Sequence, residues 1–296
     1  MTSTDIPGVG RAEPVPAPFG LRLSDAIADR GPLCVGIDPH AALLTAWGLP
    51  DDATGLAVFA LSVVEAVGDV VPIFKPQSAF FERHGSRGIA VLERVITAAK
   101  DAGALVLLDA KRGDMGSTMQ AYAEAYLTPG SPLFVDALTV SPYLGFGSLE
   151  PALEAAEHSG SGVFVLALTS NPEGPQLQHA RREDGRTVAG TVIGEVTARN
   201  AGAQPLGSVG LVIGATIGPV AAEHGYDLAA VNGPLLAPGI GHQGARPGDL
   251  GGVFGAARRL VVPAVSREVL AAGPALSKLR DVVTRLNEEC RTALQG

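Results

Sequence analysis

Residues 105–118 read LVLLDAKRGDMGST, Leu105 to Thr118, and the rest of the chain falls into place around them. Ala104–Leu108 is an unbroken apolar run that leads straight into Asp109, Ala110, Lys111, Arg112, Gly113 and Asp114. A run apolar on both faces marks a parallel strand buried on both sides. Asp109 and Lys111 stand at i and i+2 near the strand's end, so they project to the same side. Gly113 breaks the strand, and Ser117 with Gln120 has the form of a capping box opening a helix over QAYAEAYL. An acid, a base and a second acid at the carboxyl end of a buried strand make a reactive arrangement. The plainer alternative is a surface ion pair, which is worth little.

Outward from this stretch, seven further β-rich runs lie near residues 33–38, 71–75, 133–140, 163–169, 209–214, 235–238 and 260–265. Helical patterns sit between most of them, among them Thr54–Val67, IAVLERVITAAKDAG, Leu149–His158, Val188–Asn200, Pro219–His224 and Asp249–Arg259. LRLSDAIADRG is a helix ahead of the first strand, stopped by Gly31. Eight strands alternating with helices over about 250 residues is the pattern of a (β/α)8 TIM barrel. The rival, a doubly wound open sheet, requires a Gly-rich fingerprint after its first strand, and LCVGIDPH has none. Asp38, Lys75, Asp109, Lys111, Ser141, Asn171, Thr216, Gln243 and Arg267 all fall at or just past a strand end, the reactive face of such barrels. Residues 1–18, rich in Pro and Gly, read as a flexible N-terminal tail, and 19–296 as one catalytic barrel. The long polar stretch Ser170–Thr187 reads as a solvated loop or a wall of the site.

The chain has 296 residues and a net charge of -8, which argues against a general nucleic-acid surface and confines any phosphate binding to a local site. Cys34 and Cys290 are far apart, in keeping with a reducing compartment. No apolar run is long enough to span a membrane, and no signal-peptide core opens the chain, so the cytoplasm is the expected location. The six histidines show no HxH or HExxH spacing, no Cys/His cluster exists, and no GxSxG elbow is present, so neither a metal nor a serine nucleophile is expected. Gly239–Gly244, GIGHQG, matches GxGxxG, but ARPGDLGG follows where a dinucleotide site needs a helix. It reads instead as a Gly-rich anion loop after the seventh strand, with the Arg267 guanidinium ending the eighth. A salt bridge from Arg267 to a neighbouring acid is the plainer alternative.

Together, DAKRGDMGST, FKPQSAFFERHG, VGIDPH and LAPGIGHQG resemble orotidine 5′-phosphate decarboxylase in its longer bacterial branch, over roughly residues 20–285. DxKxxD alone is shared with other phosphate-handling barrels; with Lys75 in FKPQ and the PGIGHQG loop the set is specific. The resemblance implies cofactor-free conversion of orotidine 5′-phosphate to uridine 5′-phosphate in de novo pyrimidine biosynthesis. It implies that Lys111 protonates C6 of the pyrimidine and that Asp109 sits beside the departing carboxylate. Lys75 and Asp114 would complete an alternating network of charges, with Asp114 and Thr118 arriving from the partner in a homodimer. Asp38 would bind ribose hydroxyls, Ser141 and Pro238 the pyrimidine side, and Gln243 and Arg267 the phosphate. Where many members carry V-G-R-S, this chain has V-S-R-E, which brings Ser266 forward as a second phosphate contact.

The chemistry fits these residue types without the resemblance. Losing CO₂ from C6 of an orotate ring leaves a carbanion that the ring cannot delocalise, and no cofactor motif offers an electron sink. A fixed ammonium where the charge develops is what remains. The nearest rival is a Mg²⁺-dependent sugar-phosphate aldolase or decarboxylase on the same barrel, which would place a carboxylate ligand where Lys75 stands. A non-catalytic phosphate binder is a second, and it leaves a costly charged cluster without a purpose.

Overall fold

The computed structural model describes residues 17–241 and 244–295. Eight parallel strands close into a barrel in sequence order: β1 (Cys34–Ile37), β2 (Ile73–Pro76), β3 (Leu105–Arg112), β4 (Ala137–Val140), β5 (Gly162–Leu168), β6 (Val209–Ile213), β7 (Leu235–Pro238) and β8 (Val261–Val265). β1 pairs with β8 through Cys34↔Ala264 and Val35↔Val265, which completes the ring. The strands are short and buried because each is covered on both faces, by helices outside and by other strands' side chains within.

The interior is one layered core. Cys34, Ile73, Leu107, Ala137, Phe164, Val212, Leu236, Val262 and Ala264, one or two from each strand, fill its lower part. The first helix, Phe19–Arg30, closes the amino end of the barrel, with Phe19 and Leu23 joining that cluster. Phe19 meets Phe164 edge-on at 5.9 Å. Gly162 is required by this plug: a Cβ there would lie 2.4 Å from the Phe19 ring. Arg22 ties the plug down through the Asp136 carboxylate and the Gly160 carbonyl, while the other Asp136 oxygen accepts the Val106 N–H at 2.9 Å.

The helices expected from periodicity are present, with shifted ends in places. Asp52 caps Ala53–Val67 through the N–H groups of Thr54 and Gly55, and Gly31 stops the first helix at φ 87. Two readings are corrected. Ser117 and Gln120 form no capping box: the helix starts at Gly116, no side chain caps it, and the Gln120 amide donates to Glu124. Asp249–Arg259 is not one helix: Leu250–Phe254 is helical, 3-10 turns flank it, and Gly255 at φ 49 breaks the run. Of the expected tail, residues 1–16 lie outside the described residues, while the Ala17 carbonyl accepts from the Arg22 guanidinium.

Candidate active site

The inward positions above the apolar layer turn polar on β1 to β4, where the barrel opens at its carboxyl end. Gly36 of β1 lies beside Lys75 of β2, and Gln77 just past β2 bridges to Asp109 of β3. This register brings Asp38, Lys75, Asp109 and Lys111 into a row of alternating charge. Lys75 Nζ donates to Asp109 Oδ2 at 3.1 Å and stands 3.9 Å from Asp38 Oδ1. Lys111 Nζ donates to Asp109 Oδ1 at 2.6 Å.

Burial distinguishes the two lysines. Lys75 is 6% exposed, whereas the Lys111 side chain is 44% exposed, so only Lys111 offers its ammonium to the open mouth. Burial alone would lower the Lys75 ammonium's hold on its proton, but the charges of Asp109 and Asp38 outweigh it and hold the ammonium above its ordinary range. Burial would likewise raise Asp109; the charges and hydrogen bonds of Lys75 and Lys111 prevail and keep its carboxyl well below the usual carboxylate range. Beneath them burial pushes the Cys34 thiol up to about 12, so it sits as a neutral apolar group.

β3 reaches the site through an irregularity. Leu108 pairs with Leu138 and Arg112 with Val140, so Asp109, Ala110 and Lys111 lie opposite the single residue Thr139. Within this bulge Lys111 takes φ 48, a left-handed conformation uncommon outside glycine. Thr139 was not foreseen from the sequence, nor was Gln77. The Thr139 hydroxyl donates to Asp109 Oδ1 at 2.9 Å, and the Gln77 amide donates to Asp109 Oδ2 at 3.2 Å. A threonine in a buried strand carries no signal beyond β propensity; the i, i+2 spacing of Lys75 and Gln77 was the available clue for the glutamine.

The remaining expected residues divide. Asp38 Oδ1 and Ser266 Oγ are buried without a hydrogen-bond partner. A Cβ on Gly36 would lie 3.2 Å from that hydroxyl and 3.4 Å from the Asp38 carboxylate, so both groups flank one spot between β1 and β8. Polar atoms left open in this way suit a ligand. Arg267 is exposed, lines a cavity of about 690 Å³ with His40, Leu43 and Gly241, and makes no ion pair among the described residues; the neighbouring Glu268 pairs instead with Arg285 at 2.8 Å. Pro238 ends β7, and its carbonyl accepts the Ala215 N–H at 2.8 Å. Gln243 lies outside the described residues; around it Gly239, Gly241 and Gly244 all have positive φ, which fits a tight Gly-rich loop and not a helix start. Ser141 follows β4, its N–H donating to the Arg112 carbonyl at 2.7 Å.

Among the described residues no hydrogen bond or ion pair joins Asp114 or Thr118 to the row. Asp114 Oδ1 accepts its own neighbour's N–H, that of Met115, at 2.8 Å, and Asp114 makes no ion pair among the described residues. Thr118 is exposed in the first turn of its helix. The stretch Ser170–Thr187 rises from β5 at the mouth side, largely exposed, with Gln178 clasping Thr169 at its root. Among the described residues no group of three or more His, Cys, Asp or Glu side chains is placed to hold a metal ion, and no helix is long and apolar enough to cross a membrane.

Comparison with known proteins shows the family. The model of the orotidine 5′-phosphate decarboxylase / HUMPS family matches residues 31–282. The chain belongs to that family. Curated members named orotidine 5′-phosphate decarboxylase include one from Salinispora arenicola, 64% identical over 94% of this chain and 99% of the relative. Another, from Streptomyces coelicolor, is 61% identical over 94% of this chain and 98% of the relative. A crystal structure from Streptomyces avermitilis, 63% identical, matches with a TM-score of 0.91 over 95% of this chain and 97% of that one. The Leishmania donovani OMP decarboxylase, 30% identical, matches with a TM-score of 0.72 over 94% of this chain.

Proposed function

We propose that this chain decarboxylates orotidine 5′-phosphate to uridine 5′-phosphate in de novo pyrimidine biosynthesis, without a cofactor. The observation that carries the reading is Asp109 clamped between Lys75 and Lys111 at the barrel mouth, with Lys111 alone exposed. Relatives bearing that activity in their names, 51% to 64% identical along nearly the whole chain, favour it over the metal-dependent sugar-phosphate reading.

In this mechanism the C6–carboxylate bond breaks, CO₂ leaves, and the electron pair remains on C6. The Lys111 ammonium faces that charge and delivers its proton to C6; solvent restores the proton to the lysine. Asp109 stands by the departing carboxylate and fixes the ammonium. One charge pair at about 4 Å, with an effective dielectric near 20, is worth roughly 4 kcal/mol. Enzymes supply roughly 8–23 kcal/mol, so binding away from the ring must contribute the rest. Arg267, with Gln243 and the Gly-rich loop, is the phosphate grip in this reading; Asp38 takes the ribose hydroxyls, and Ser141 and Pro238 border the pyrimidine. Closing the loop over the phosphate expels water and holds the ring.

The working unit is proposed as a homodimer in which Asp114 and Thr118 enter the partner's site. What supports this is Asp114, which makes no ion pair with Lys75 or Lys111 of its own chain, and the apolar surface beside it. Met115, Tyr143 and Leu144 are 66%, 73% and 49% exposed, on two loops that touch at Gly113 and Ser141.

The test is the loss of orotidine 5′-phosphate ultraviolet absorbance with the purified protein in excess EDTA. Full turnover under these conditions is expected. No turnover, or turnover only after Mg²⁺ is restored, contradicts the reading.

A further inference from the structure

The bulge in β3 leaves an unusual gap. Asp109, Ala110 and Lys111 share one opposite residue on β4, Thr139. In a regular parallel ladder the Lys111 N–H would meet a backbone carbonyl. Here it donates to the Thr139 hydroxyl oxygen at 3.0 Å. The same hydroxyl gives its own proton to Asp109 Oδ1 at 2.9 Å, and Thr139 is 1% exposed. One hydroxyl, donating its single proton and accepting with one lone pair, replaces the missing ladder bond and grips the carboxylate that Lys111 Nζ also holds.

The Lys111 backbone depends on such support. A non-glycine residue at φ 48 is strained and persists only where its surroundings over-determine it. On the far side Arg112 is fixed: its carbonyl accepts the Ser141 N–H at 2.7 Å, and its guanidinium binds Glu82 and the Tyr126 hydroxyl. On the near side Thr139 provides the matching hold. Valine would fit the strand as well as threonine in shape, but would leave the Lys111 N–H and one bond of the Asp109 carboxylate unmet.

We infer that Thr139 is a positioning residue for the decarboxylation: its hydroxyl sets the left-handed backbone of Lys111, and through it the place of the proton-donating ammonium relative to Asp109. This rests on the proposed role of Lys111. Thr139 touches neither substrate nor reacting atoms in this account, so its removal acts on the chemical step. A misplacement of about 1 Å at such a site can cost on the order of a hundredfold in rate.

The experiment compares Thr139→Val, Thr139→Ala and Thr139→Ser with the wild-type protein by steady-state turnover of orotidine 5′-phosphate and by titration with uridine 5′-phosphate. The two variants without a hydroxyl are expected to lose on the order of a hundredfold in kcat. Their KM and product affinity should stay near wild type, and Thr139→Ser should recover most of the lost kcat. A folded Thr139→Val or Thr139→Ala with wild-type kcat overturns the inference, as does a Thr139→Ser as slow as the alanine variant. If Thr139→Val does not fold, Thr139→Ala decides. Inactivity of the wild-type protein would instead sink the proposed reaction, so the two failures are distinguishable.

Discussion

Lys75 and Asp109 keep each other ionised in a place where burial opposes both charges. The consequence for stability has a definite sign. Asp109 is held below its ordinary value, so its contribution is complete above about pH 4 and is lost as the pH falls through the lowered value. Lys75 is held above its ordinary value, so its contribution is complete below about pH 10.4 and is lost as the pH rises through the raised one. Both are therefore present across the neutral range. Lys75→Met leaves Asp109 buried with Lys111 alone, and breaking a buried pair from one side costs about 3–5 kcal/mol. In the variant Asp109 regains protons at a higher pH than in the wild type. The stability gap in urea unfolding should therefore shrink as the pH is lowered from about 6 to 3. A gap that stays constant over that range would show that Asp109 does not depend on Lys75 for its charge.

At the scale of elements, the eight strands and most helices were legible because apolar runs, glycine stops and strand-end charges follow simple periodicities. Asp38, Lys75, Asp109 and Lys111 could be placed together because parallel strands of a barrel present their carboxyl ends on one face. The bulge could not. Nothing in LVLLDAKR distinguishes a regular strand from one in which three residues face Thr139, since the irregularity arises from pairing with β4. The same holds for the break at Gly255: glycine within a helical pattern is tolerated often enough that only packing decides. The plug helix was legible as a helix but not as a stopper, because Phe19 finds its place against Phe164 and Gly162, more than a hundred residues away. Phe19→Ala should lose about 3–5 kcal/mol of stability in urea unfolding, as large-to-small core changes of this type do. A loss below about 1 kcal/mol would mean the amino end of the barrel is closed by something other than this ring.

For the whole molecule, the charged row is incomplete within one chain if Asp114 belongs to it. It runs Asp38, Lys75, Asp109, Lys111 and stops, while Asp114, three residues past Lys111, makes no ion pair with it among the described residues and accepts the N–H of exposed Met115. In a two-fold assembly each subunit would supply the other's last carboxylate. The sequence pattern D-x-K-x-x-D suggests three residues acting together, and the fold separates the third because the chain turns at Gly113 into a helix. The decisive measurement is orotidine 5′-phosphate turnover by Lys111→Ala, by Asp114→Ala, and by an equal mixture of the two after subunit exchange confirmed by mass spectrometry. The account predicts that each variant alone is nearly inactive. In the mixture, half the dimers then carry one intact site, and activity returns to about one quarter of wild type. A Lys111→Ala protein that retains a tenth of wild-type kcat, an active Asp114→Ala protein, or a fully exchanged mixture with no recovered turnover would contradict it.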